Sequence, residues 1–140
     1  MSDSGVDIVV KDQDGYTSLV VDTKQRADLG EATTHLADYM KRIGVDLGLL
    51  VTPQRLLILR EDYRGDLGAK VIGDYPLALG GEALDPVAFE DFVQRWLESL
   101  AWKPIDRSTP LTQALTDIVV PVVKYGTIRA AHLRVRSAAG

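Results

Sequence analysis

Two short runs rich in β-branched residues, Val6 to Lys11 and Thr17 to Thr23, flank Asp14-Gly15. Asp-Gly between such runs predicts a β-hairpin with a two-residue type I′ turn, whose central positions both need positive φ. If Gln13 pairs with Tyr16, Asp7 stands opposite Asp22 and Gly5 opposite Lys24. Side chains alternate across a strand, so Asp7, Asp22 and Lys24 share one face while Val6, Ile8, Val10, Leu19 and Val21 share the other.

The period then changes. Gln25 to Leu29 is a polar connection, after which Gly30 opens a helix with Ala32, Leu36, Tyr39, Met40 and Ile43 on one face and Gly44 as its stop. Asp46 to Thr52 is a nearly continuous apolar strand, and Pro53-Gln54 turns the chain into a further strand, Arg55 to Glu61. Strand, helix and buried strand make a βαβ unit, so the strand at Leu47 is expected parallel to the one at Val20. The fold class is therefore α/β, with a mixed central sheet built as hairpin, βαβ crossover and hairpin, flanked by helices.

From Asp62 to Leu84 the pattern weakens to loop, with a short edge strand at Lys70 to Ile72. Asp85 as N-cap and Pro86 at the first helical position start a second helix. Its stripe is Phe89, Phe92, Val93, Trp96, Leu97 and Leu100, and Glu90, Asp91, Gln94, Arg95 and Glu98 are expected to face away. A third helix starts at Thr109-Pro110, with Leu111, Leu115, Ile118, Val119 and Val122 on one face, and must end or kink near Pro121. Gly126 terminates it, leaving Thr127 to Arg136 as a final strand or a basic helical arm. The whole of residues 1–140 reads as one domain, with a core at 5–61, a peripheral loop and helices at 62–126, and a basic tail at 127–140.

Composition supports one core-forming domain: 140 residues, 46% hydrophobic. No run approaches the roughly 20 apolar residues of a membrane span. No basic segment followed by an apolar one opens the chain, and there are no cysteines, so a cytoplasmic setting is expected. Lys124, Arg129, Arg134 and Arg136 are the only charged residues after Asp117, so the other 12 of the 16 basic residues face all 20 acidic ones upstream. Nucleic-acid contact must be local, and Arg129, Arg134 and Arg136 are its candidates.

Two carboxylates directly opposite each other destabilise a sheet unless a cation joins them or one takes up a proton. Asp7, a hairpin, Asp22-Thr23-Lys24, an amphipathic helix and a buried strand together resemble the core of the restriction-endonuclease-like superfamily, named for its PD-(D/E)XK motif. Val6-Asp7 stands where that family has Pro-Asp, and Asp22-Thr23-Lys24 stands for the second half. The resemblance implies a nuclease that hydrolyses phosphodiester bonds with Mg²⁺ or Mn²⁺. Asp7 and Asp22 would be the metal ligands, Lys24 the catalytic lysine, and DNA the polymer ahead of RNA.

Relatives of the recombination and repair type carry Gln-x-x-x-Tyr on the following helix, and His35-Leu-Ala-Asp-Tyr39 has that spacing, which makes His35 and Tyr39 accessory candidates. Tyr39 is expected to pack and His132 to face solvent. The helix that usually precedes the Asp strand, often with an acidic residue, has no counterpart in the four residues before Gly5, so the core reads as truncated at its N-terminal part. Asp28 or Glu31, or a second subunit, would have to stand in. The competing function is an inactive domain of this fold used for protein binding or homo-oligomeric assembly, and an unrelated α/β regulatory module is a third.

Overall fold

The structure is a computed structural model that describes residues 5–25, 28–61 and 68–132. A six-stranded mixed sheet in the order β5-β4-β3-β2-β1-β6 forms its centre. The strands are β1 (Ile8–Lys11), β2 (Thr17–Thr23), β3 (Leu47–Val51), β4 (Arg55–Glu61), β5 (Ala69–Pro76) and β6 (Thr127–Ala130). Helix α1 (Leu29–Ile43) crosses from β2 to β3, which run parallel as the βαβ reading expected, with Val20 beside Gly48 and Thr23 beside Val51. All other neighbouring strands are antiparallel.

Strands β3 and β4 carry unbroken apolar runs, Leu47–Val51 and residues 56–59, because both faces of the sheet are covered there. On one side Val20, Leu50, Leu57 and Leu59 pack with Ala32, Leu36 and Met40 of α1. On the other Val21, Leu49, Val51, Leu56 and Ile58 pack with Phe89, Val93 and Leu97 of α2 (Pro86–Leu100) and with Leu115, Val119 and Val123 further on. Three layers result. Leu36 and Met40 are fully buried, and each such side chain contributes about 1.5–3 kcal/mol of hydrophobic stabilisation.

Both long helices start on a carboxylate. Asp28 accepts hydrogen bonds from the amides of Gly30 and Glu31, and Asp85 from that of Ala88. The third helical stretch runs as α3 (Pro110–Ala114), a π turn (Leu115–Val119) and α4 (Val120–Lys124). Pro121 has no amide hydrogen to donate, and the wider turn just before it, in which the Val120 amide reaches the Leu115 carbonyl, absorbs the defect. The wider turn also shifts the buried face, so that Ala114, Leu115, Val119 and Val123 are buried and Val122 only half so.

Three expectations change. The hairpin turn is not a two-residue type I′ turn: Asp12 pairs with Tyr16 across a three-residue loop, with Gly15 at φ 87°. The Asp12 carboxylate holds that loop by accepting from the amides of Asp14 and Tyr16. A bulge at Ser18 of β2 then restores the predicted register, so Ile8 still faces Val21 and, one step on, Asp7 meets Asp22. Val6 leaves the face of Ile8 for that of Val20, because the chain bends at Asp7 before β1 begins.

Residues expected as a peripheral loop include an eight-residue edge strand, β5, with a bulge opposite Ile58/Leu59, which weakens its alternation. The start of the basic tail is strand β6, paired antiparallel with β1. Among the described residues no helix is long and apolar enough to cross a membrane.

Candidate metal centre

Asp22, Thr23 and Lys24 lie at the carboxyl end of β2, next to the parallel strand β3, where open α/β sheets gather ligands. The Lys24 amide donates to Val51 O (3.0 Å), extending the β2–β3 pairing to the lysine itself. Asp7 reaches the same point from the start of β1. Its Oδ2 accepts from the Thr23 amide (2.9 Å) and the Thr23 hydroxyl (2.8 Å). These bonds fix one carboxylate oxygen and turn the other, Oδ1, outward.

Asp22 follows Val20 onto the α1 side and is 2% exposed. Among the described residues its Oδ2 is buried without a hydrogen-bond partner, and the Lys24 ammonium approaches it only to 3.8 Å. Burial pushes the Asp22 carboxyl up to about 7, helped by its hydrogen bond to Asp7 and by the Asp7 charge, while Lys24 pulls it partly back. Burial also acts on Asp7. There it is outweighed by hydrogen bonds with Asp22, with the Thr23 amide and hydroxyl, and with His132, so Asp7 sits below the ordinary carboxylate range. Of the two carboxyls, Asp22 is therefore the one that holds a proton more readily.

Two residues that the helical and tail patterns placed in solvent complete the cluster. Glu90 of α2 is 8% exposed, and its Oε1 lies 3.5 Å from His132 Nε2, which is 3.3 Å from Asp7 Oδ1. Ligand atoms of Asp7, Glu90 and His132 all lie within 4.8 Å of one another. The expected outward orientation of Glu90 is thus corrected. Glu90 precedes Val93, Leu97 and Leu100 by three, seven and ten residues, a spacing that puts it on their buried stripe. Only its charge argued otherwise. His132 had no local signal: it arrives because β6 pairs with β1 and Ala131 donates its amide to Asp7 O (2.9 Å).

The structure brings Asp7, Asp22 and Lys24 together, and Asp7 and Lys24 line a cavity of about 490 Å³ with Glu82, Leu84, Phe89 and Glu90. Gln25 ties one wall in place by donating to the carbonyls of Gly81 and Leu84. Gly81 has φ 93°, and a Cβ there would meet the Phe89 ring at 2.9 Å, so this wall closely covers α2. Tyr39 is half-buried and lines a smaller cavity of about 220 Å³ behind Asp7 and His132.

His35 is exposed on α1 and lines neither of these cavities. Asp28 is committed to capping α1, and Glu31 is exposed. Arg129 is exposed on β6, and Arg134 and Arg136 lie outside the described residues.

The donor set suits a divalent cation. Carboxylate oxygens fit Mg²⁺ or Mn²⁺, and an imidazole nitrogen beside them favours Mn²⁺ or Zn²⁺. Asp22 stands beside the group of Asp7, Glu90 and His132 rather than in it, and its buried Oδ2, without a hydrogen-bond partner among the described residues, is an acceptor whose unsatisfied state costs about 1–3 kcal/mol. The chain matches no protein-family model, no curated protein and no solved structure.

Proposed function

We propose that this chain is a metal-dependent nuclease of the restriction-endonuclease-like kind, cutting phosphodiester bonds in nucleic acid, with DNA ahead of RNA. The observation that carries the reading is the buried Asp22 oxygen, unpartnered among the described residues, beside Asp7 and Lys24, which line the cavity. Asp7 and Asp22 would hold the cation, with Glu90 and His132 adding donors on the Asp7 side. Glu90 adds a further carboxylate from α2.

A bound divalent cation supplies Lewis-acid stabilisation of charge building on the phosphoryl oxygens and makes water more acidic. The chain's own groups do the rest. Thr23 holds Asp7 in one rotamer, so its outward oxygen is preorganised. The side chain of Lys24 is 40% exposed while its ammonium stays near Asp22, so it can point at a phosphate or orient the attacking water. Leu84, 38% exposed, gives the cavity an apolar patch on which a sugar or base can rest.

The test is nicking of supercoiled DNA in Mg²⁺ and in Mn²⁺. Wild type is expected to nick, and Lys24→Ala to lose nicking at least 100-fold while keeping the metal-induced rise in Tm. Failure to nick DNA or RNA in either metal, or undiminished nicking by Lys24→Ala, refutes the proposal. A metal-independent scaffold for protein binding or assembly would then be the remaining reading.

A further inference from the structure

A second cleft, of about 230 Å³, lies at the other end of α2, between Leu100–Ile105 and the face of α4 that carries Val120 and Lys124. Its chemistry differs from that of the metal centre. Lys103 and Lys124 line it, no carboxylate among the described residues does, and the neighbouring Asp117 is paired with Arg107 at 3.0 Å. On a chain of formal charge −4 this is a local reversal of sign.

At its rim Trp102 is 73% exposed and Tyr125 64%. Trp102 is not a frayed end: its amide and that of Lys103 donate to Ser99 O, at 3.3 and 2.9 Å. Lys124 Nζ stands 5.8 Å from the Tyr125 ring centroid, a cation–π contact that keeps the ammonium at the cleft.

We infer that this cleft is a binding platform for a single strand of nucleic acid, with a base stacked on Trp102 and the adjoining phosphates held by Lys103 and Lys124. Exposed aromatic faces interleaved with lysines are what an unpaired strand requires, because every base offers a π-face and every linkage a negative charge. The cleft has the volume of one planar ring system and is too small to seat a helix. It lies about 16 Å from Glu90, taking 1.5 Å per residue along α2 to Ala101, so a bound strand is long enough to reach both places. The inference goes beyond the nuclease reading and stands without it, since it concerns binding alone.

The experiment is done in EDTA, where no metal-dependent cleavage competes. With Trp96→Phe leaving Trp102 as the sole indole, a short oligothymidylate is expected to quench fluorescence, and anisotropy of a labelled oligonucleotide to give the same affinity. Trp102→Ala should weaken binding roughly tenfold. Lys103→Gln with Lys124→Gln should lower the slope of log K against log salt by about 1.4, from about 0.7 per phosphate on single strands. All variants are first checked for an unchanged melting curve. No binding at low salt, binding indifferent to these variants, equal binding of duplex DNA, or equal binding of polyglutamate as an acidic-protein surrogate would each overturn the platform. A nicking result of either sign leaves this outcome untouched.

Discussion

Replacing Asp22 by Asn tests the metal centre through stability alone. Without metal, the Asp22 carboxyl rises from 3.8 to about 7, chiefly through burial and then through Asp7. A group whose folded pKa is raised binds its proton more tightly in the native state than in the unfolded chain. The native state is therefore favoured below about pH 4 and loses that advantage as pH climbs towards 7. At about 1.4 kcal/mol per pKa unit the rise costs the metal-free fold at most roughly 4 kcal/mol above pH 7.

Asp7 moves the other way, so it returns part of this. Asp7's own contribution is lost only as pH falls through its lowered pKa, outside the pH 5–8 window. Asn is close in shape and cannot ionise. In EDTA at pH 8 the variant is expected to be more stable than wild type in urea melts, by less than that ceiling of roughly 4 kcal/mol, and to melt at a higher temperature.

At pH 5 the wild-type carboxyl is protonated in the folded state but still largely ionised in the unfolded chain, so the gap should narrow, and it should close only below about pH 4. Mn²⁺ at about 100 times its Kd should then stabilise wild type by about 2.7 kcal/mol at pH 8 and the variant much less. A variant less stable than wild type at pH 8, or a gain of equal size at pH 5 and pH 8, refutes the account of Asp22 as a strained carboxylate waiting for a cation.

Two further predictions use other residues. Glu90→Gln with His132→Gln should weaken Mn²⁺ binding, read by calorimetry, by about 10–100-fold while leaving Tm in EDTA within a few degrees; unchanged affinity removes both residues from the donor set. Leu36→Ala, emptying a fully buried site between α1 and the sheet, should cost about 2–5 kcal/mol in urea unfolding, and a cost below 1 kcal/mol would mean that α1 does not seal that face.

Much of the sheet was legible because its signals are local. The caps and stripe of α1, the unbroken apolar runs of β3 and β4, and the βαβ spacing each specify a neighbour only a few tens of residues away. The predicted register of Asp7 and Asp22 holds although the turn does not. The three-residue loop and the bulge at Ser18 offset each other, and alternation of buried residues enforces the net result. Strand β5 was legible only as a fragment, because an edge strand with a bulge and mixed exposure carries little periodicity.

The sequence by itself determined the three layers, the parallel crossover and the meeting of Asp7, Asp22 and Lys24, because hydrophobic period and turn chemistry act over short chain distances. Only the tertiary structure decided what that meeting is worth. Whether Asp22 is solvated or buried, whether Glu90 points outward or into the site, and whether His132 hangs free or crosses back to Asp7 depend on segments as far apart as residues 7 and 132. The physical reason is that burial and charge are properties of an environment. The Asp22 environment is assembled from β1, β2 and α1, and its Asp7 neighbour is completed from α2 and the chain just beyond β6.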